Sequence, residues 1–208
     1  IIHQNTLVAV WKDDVGTITN IQQTTDMHHW TDLPLPHGSF KSTSLASSGP
    51  SLYMCCTNVR EQRVLLEYNE HAEQWVAVAK VPYGHCQGCV VFATPGTVSI
   101  LGGFGTESSS TYPMGYYSRY TRQNKQWKSS ADPSHSLPGL PCDCAYASLV
   151  ACHGSLYIIG GNTGCFLRYT DDGHWQEAVK PDGVDLEYSR ACSLSDDSLV
   201  IACEDSDS

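Results

Sequence analysis

Five apolar runs set the rhythm of the chain: TLVAVWKD from Thr6, SLYMCCTN from Ser51, TVSILGG from Thr97, SLYIIGG from Ser155 and SLVIACED from Ser198. The run Leu156-Tyr157-Ile158-Ile159 is apolar without alternation, so a strand there is covered on both faces. The paired glycines Gly160-Gly161 let the backbone turn where side chains would clash. A second short strand then ends at Tyr169, and Asp171-Asp172-Gly173 is hairpin-turn chemistry before Trp175. The same order recurs upstream. Gly102-Gly103, Tyr120 and Trp127 follow Thr97, Tyr68 and Trp75 follow Ser51 with Cys56-Thr57 in the glycine places, and Trp30 closes the first unit. The starts at 6, 51, 97, 155 and 198 are 45, 46, 58 and 43 residues apart. A period near 45 made wholly of short strands predicts a propeller-type array with one four-stranded sheet per repeat.

The diglycine, with a Tyr and a Trp six or seven residues apart after it, resembles the kelch repeat. The repeats of Gly102-Gly103 and Gly160-Gly161 carry the whole signature; the other two keep the tryptophan and lose the diglycine. The resemblance implies an all-β fold, a β-propeller of kelch-like blades over residues 1–203, with four to five blades in this chain. Such rings close with about six blades of roughly 50 residues, so the expectation is a fragment of a six-bladed ring or an atypically small one. Ring closure would set the strands from Thr6 and Ser198 in competition for one place.

The remaining segments fit this frame. Thr17–Thr24 pairs as a more exposed strand, Ser39–Ser47 and Cys89–Ala93 are inner strands, Val64–Tyr68 and Gln74–Val81 complete the second sheet, and Ala145–Cys152 and Ser189–Leu194 form hairpins with the strands after them. Phe104–Gly115 is a Ser- and Gly-rich insert, and Ala131–Cys142 a long Pro- and Ser-rich connection; loops of that length are uncommon unless functional or mobile. Residues 204–208 read as a disordered acidic tail.

Composition narrows the class. With 41% hydrophobic and 16% charged residues and 17 glycines, the chain has an all-β globular composition. No 18-residue apolar run is present, and the N-terminal residues lack the basic lead and small-residue cleavage pattern of a secretory leader. Ten cysteines fall mostly inside apolar strands, where a free thiol acts as a small buried hydrophobe. Reduced thiols and a cytoplasmic location are the expectation. Charge is uneven: residues 1–170 hold 11 acidic and 10 basic side chains, residues 171–208 hold 11 and 2. That balance argues against nucleic acid, whose phosphates need a positive face.

Candidate chemistry is sparse. His85-Cys86-x-x-Cys89 and Cys142-x-Cys144 have spacings compatible with a tetrahedral zinc site. Strand alternation splits Cys86 from Cys89, so structural cysteine is the better reading and no metal or other cofactor is expected. The tryptophans at 30, 75, 127 and 175 occupy one repeat position, which makes them packing residues between blades; Trp11 stands outside that position and is expected to be partly exposed. Asp171-Asp172-Gly173-His174-Trp175 lacks the spacing of the sialidase Asp-box. Copper oxidases on kelch propellers are the enzymatic alternative, but no His/Tyr cluster is identified. The resemblance therefore implies a non-enzymatic protein-binding adaptor, with partner loops after the diglycine strands and between blades. The candidate contact residues are Arg60, Arg63, Phe104, Tyr112, Tyr116, Asn162, Asp182, Asp185 and Glu187. The three acidic ones stand on a Pro181/Gly183-bent connection that would attract a basic peptide or Lys/Arg-rich loop.

Overall fold

The computed structural model describes residues 1–60, 62–82, 88–107, 110–195 and 197–203, and of residues 2, 42–43, 105–107 and 110–113 it describes the backbone alone. The fold is all-β: every named element is a strand, and four four-stranded antiparallel sheets are the blades of a β-propeller. Among the described residues no helix is long and apolar enough to cross a membrane. The chain divides into two compact units, residues 1–82 with 91–99 and 120–126, and residues 83–90, 100–119 and 127–208.

The first unit holds two complete sheets. One is β1 (Ile2–His3), β2 (Thr6–Lys12), β3 (Ile18–Thr24) and β4 (Thr31–Leu33); the other is β5 (Phe40–Ser48), β6 (Ser51–Asn58), β7 (Arg63–Asn69) and β8 (Gln74–Lys80), each a meander in chain order. Val8, Ile18, Ile21 and Leu33 of the first sheet pack with Leu52, Met54, Cys56, Leu66 and Trp75 of the second. β6 is buried along Leu52–Thr57, as its unalternating run SLYMCC requires. The Tyr–Trp spacing has a structural cause. Tyr68 and Trp75 are directly opposed across the β7–β8 hairpin, with ring centroids 5.3 Å apart, a geometry worth about 0.5–1.5 kcal/mol beyond burial. The Trp75 indole also donates to the Pro34 carbonyl at 2.9 Å, which ties the connection before β5 to the outer strand of the same blade.

The third sheet has the order β14-β13-β10-β9, from β9 (Val90–Thr94), β10 (Thr97–Leu101), β13 (Tyr117–Thr121) and β14 (Gln126–Ser129). Between β10 and β13 runs a separate hairpin of β11 (Phe104–Glu107) and β12 (Ser110–Pro113). The polar insert is thus a paired ribbon in place of an open loop. Alternation in SSSTY is too weak to announce it. The second unit contains the fourth sheet, β15 (Ser148–Cys152), β16 (Ser155–Gly160), β17 (Cys165–Tyr169) and β18 (Trp175–Glu177), and a two-stranded sheet of β19 (Arg190–Ser195) and β20 (Ser198–Ala202). Val150, Ile159 and Leu186 form one buried cluster there, with Tyr157, Phe166, Ala191, Leu199 and Ile201 packed on them. Tyr169 opposes Trp175 at 5.0 Å, repeating the Tyr68–Trp75 arrangement. Trp75 and Trp175 are buried, Trp30 and Trp127 half-buried, and Trp11 is 52% exposed. The strands from Thr6 and Ser198 both form, in separate sheets.

The diglycines owe their identity to the chain that passes next to them. A Cβ on Gly102 would lie 2.2 Å from the Cys144 carbonyl oxygen, and one on Gly161 2.3 Å from that of Ala145. Both glycines have positive φ, 58° and 77°. At these turns the connection leading into β15 is laid against bare backbone: Gly103 N–H donates to Cys144 O at 2.6 Å, and Asn162 N–H to Ala145 O at 3.0 Å.

Candidate functional site

In each meander sheet the loop between the second and third strands and the connection into the next blade leave from the same strand ends. Four such connections lead into inner strands β5, β9, β15 and β19. In each, the residue two positions before the strand has positive φ: Gly38 (109°), Gly88 (65°), Tyr146 (59°) and Tyr188 (55°). Glycine adopts that conformation freely, whereas a tyrosine pays about 1–2 kcal/mol for it. Both tyrosines are nonetheless exposed, Tyr146 at 45% and Tyr188 at 56%.

The backbone around them explains why the conformation persists. Tyr146 N–H donates to the Gly88 carbonyl at 2.7 Å, and Tyr188 N–H to the Gly161 carbonyl at 2.7 Å. The Tyr146 ring lies over Gly88, whose added Cβ would meet it at 2.8 Å, and its centroid is 5.5 Å from that of Phe104. Asn162 turns its side-chain oxygen to the Ala145 N–H at 2.9 Å. A Cβ on Gly164 would lie 3.0 Å from the Glu187 nitrogen. Phe104, Asn162 and Glu187, three of the residues singled out in the sequence, are therefore joined in one rim through Tyr146 and Tyr188.

The connection 178–189 adds charge and apolar surface together. Asp182, Asp185 and Glu187 are all exposed, and the Asp185 carboxylate accepts from the Glu187 N–H at 2.9 Å. None of the three carboxylates is in an ion pair among the described residues. Val179 is 92% exposed and Val184 36%, while buried Leu186 and Ser189 hold the segment in place; the Ser189 hydroxyl donates to Leu186 O at 2.9 Å. Apolar and acidic groups thus project from one segment with a fixed backbone.

Other sequence-derived candidates fall elsewhere. Tyr116 is half-buried, and its carbonyl accepts from Gly102 N–H at 2.8 Å. The Tyr112 side chain lies outside the described residues, as do His85, Cys86 and residues 204–208 of the tail. Arg60 is exposed, in a turn closed by the Asn58 side chain, which accepts from the Arg60 and Gln62 N–H groups. Arg63 is corrected: it belongs to β7, is 6% exposed and donates from Nη2 to the Thr57 hydroxyl at 3.1 Å. Its burial follows from pairing with Thr57 across β6–β7, one residue further than the strand was read. Among the described residues no three His, Cys, Asp or Glu side chains are grouped as ligands for a metal ion.

Two further groups were not legible. In the first unit an open cleft of about 370 Å³ is lined by Ser51, Glu67, Tyr68, His71 and Arg122; its lining holds the Arg122–Glu67 ion pair at 2.9 Å and the Ser51 hydroxyl donating to Glu67 at 2.9 Å. In the second unit the Cys142 and Cys165 sulfurs are 3.0 Å apart. Thiol hydrogen bonds from Cys142 and Cys144 hold the Cys165 pKa well below the ordinary thiol value, against the effect of burial. The same contacts push Cys142 and Cys144 up.

What the fold and this rim define is a β-propeller with a structured loop face. No protein-family model matches the sequence, and no curated protein matches it. Among solved structures the chain is similar to YjhT, at 16% identity with a TM-score of 0.65, covering 92% of this chain and 70% of that one. At that identity the likeness is one of fold.

Proposed function

We propose that this chain is a non-enzymatic protein-recognition module of kelch-like blades, an intracellular adaptor whose loop face grips a basic, partly apolar peptide or loop. The observation that carries the reading is the pair Tyr146 and Tyr188. Each is an exposed aromatic side chain at a backbone position that favours glycine, kept there by specific hydrogen bonds. Backbone strain of this kind collects at ligand clamps and recognition sites, and exposed tyrosine is a frequent anchor at interfaces. Val179 and Val184 add apolar contact, and Asp182, Asp185 and Glu187 an unneutralised charge. Exposed ion pairs contribute about 0.2–1 kcal/mol each, so the carboxylates act on association rate while the tyrosines hold the bound partner.

The test begins with peptides selected from a random displayed library against the intact chain. Tyr146→Gly with Tyr188→Gly keeps the backbone conformation while removing both rings, and is expected to raise the dissociation rate of the selected peptides at least about tenfold. Asp182→Asn, Asp185→Asn and Glu187→Gln together are expected to slow association and flatten its salt dependence. Selected peptides that bind both variants as they bind the native chain, or a library that yields none, would defeat the proposal. Metal analysis of the purified chain addresses the enzymatic alternative: stoichiometric copper with oxidase activity would replace the adaptor reading.

A further inference from the structure

We propose that Cys142 and Cys165 are a redox-modification site, a dithiol that a low-molecular-weight disulfide converts to an intramolecular disulfide bond. The assignment stands on geometry in the second unit and does not depend on whether the loop face binds a partner. The two sulfurs are 3.0 Å apart, about 1 Å beyond a formed disulfide bond, although 23 residues separate them in the chain. Their backbones are clamped to one another. The Thr163 hydroxyl donates to the Asp143 carbonyl at 2.6 Å and lies 3.1 Å from Cys165 Sγ, while the neighbouring connection is fixed by Gly103 N–H on Cys144 O. Closing the bond therefore needs side-chain rotation and little movement of the chain.

Exposure decides the order of events. Cys144 and Cys165 are buried, whereas Cys142 is half-exposed and meets the reagent first. In the first step Cys142 gives its proton to water and its sulfur attacks one sulfur of the reagent disulfide. The reagent S–S bond breaks, one thiolate leaves, and it takes up a proton from water. In the second step Cys165 gives its proton to water and attacks Cys142 Sγ. The mixed disulfide breaks, and the second reagent thiolate departs and takes up a proton from water. Two protein thiols are oxidised by two electrons, and one reagent disulfide is reduced to two thiols. Thiol–disulfide exchange of this kind depends on access and on thiolate character. Cys55, Cys56 and Cys152 fail the first requirement because they are buried, and burial pushes the Cys56 thiol up to about 12. Cys192 and Cys203 are exposed thiols with no neighbouring sulfur described, so they accept the reagent without forming a bond to a near partner.

The sequence supplies a direct readout. An endoprotease cutting before aspartate releases residues 132–142, with Cys142 alone, and residues 143–170, with Cys144, Cys152 and Cys165. The reduced native chain is equilibrated with oxidised and reduced glutathione, alkylated and digested. A Cys142–Cys165 bond joins the two peptides, and fragmentation places it at Cys165, whereas a Cys144–Cys165 bond stays inside 143–170. The expected result is a linked pair at least about tenfold more abundant than any other disulfide, lost when the chain is oxidised in denaturant. Cys142→Ser, at a half-exposed site, is expected to melt like the native chain and to remove the linked pair. Cys165→Ser is expected to leave glutathione on residues 132–142. A native chain that shows only glutathione adducts, a bond from Cys144, or oxidation confined to Cys192 and Cys203 would overturn the proposal.

Discussion

Replacing Gly161 with alanine tests whether the diglycine is dictated by the neighbouring connection or by the turn alone. Gly154, in the β15–β16 hairpin of the same blade, is the matched control, because its φ is 67° against 77° for Gly161, yet nothing lies within 4 Å of its added Cβ. Both substitutions therefore carry the left-handed backbone cost of about 1–2 kcal/mol. Only Gly161→Ala places a Cβ 2.3 Å from Ala145 O and 2.9 Å from the Ala147 nitrogen. Relieving that contact moves the connection away and loosens two hydrogen bonds, Asn162 N–H to Ala145 O at 3.0 Å and Ala145 N–H to Asn162 Oδ1 at 2.9 Å. At about 0.5–1.5 kcal/mol each, they add about 1–3 kcal/mol. For a chain of this size that corresponds to a Tm about 2–12 °C lower than for Gly154→Ala. Thermal melts followed by circular dichroism measure the difference. Equal losses for the two variants would refute the close approach.

Trp75→Phe should cost stability by removing the indole donor from Pro34 O, about 1 kcal/mol, while Trp75→Ala should cost about 3–5 kcal/mol through the lost burial; denaturant melts check both. Asp26 accepts from the His29 ring and from the His29 and His28 N–H groups, which hold its carboxyl pKa well below the usual range, the ring contact contributing most. A depressed folded-state pKa gives stability that is present above the unfolded value near 4 and is lost as pH falls through the folded one. The Tm gap between the native chain and Asp26→Ala should thus be widest at pH 6 and shrink steadily below about pH 4, and a gap independent of pH would contradict the linkage. Tyr188→Gly alone should leave the Tm unchanged or raise it, because relief of the left-handed cost of about 1–2 kcal/mol offsets the greater freedom of an unfolded glycine; a clear loss would mean that the ring packs in the native chain.

The starts of β2, β6, β10, β16 and β20 were legible because each opens an unbroken apolar run, almost fully buried in β6 and β10 and only partly so in β2, β16 and β20, and Tyr68/Trp75 and Tyr169/Trp175 because a cross-strand pair fixes its own spacing. Strand β1 was not, since two residues carry no period. The β11–β12 ribbon hid in a Ser-rich insert whose residues have little β preference. The apolar run VLL starts at Val64 and leaves Arg63 on the loop before it, whereas pairing opposite Thr57 puts Arg63 in β7 and buries it. Tyr146 and Tyr188 escaped notice for a different reason. Glycine at positions 38 and 88 announces a left-handed turn, but tyrosine at the same repeat position gives no such signal, although aligning the four connections on their strands would have exposed it. The Cys142–Cys165 contact joins a connection to a loop 23 residues away, and no local pattern encodes it.

Hydrogen–deuterium exchange of the native chain, with and without a library-selected peptide, tests the recognition surface most directly. Protection is expected on the loop face, in residues 142–147, 161–165 and 179–190 and at Phe104, with the hairpins around Gly49, Gly154 and Gly173 unchanged. Protection confined to those hairpins, with residues 142–147 and 179–190 exchanging as in the free chain, would contradict it.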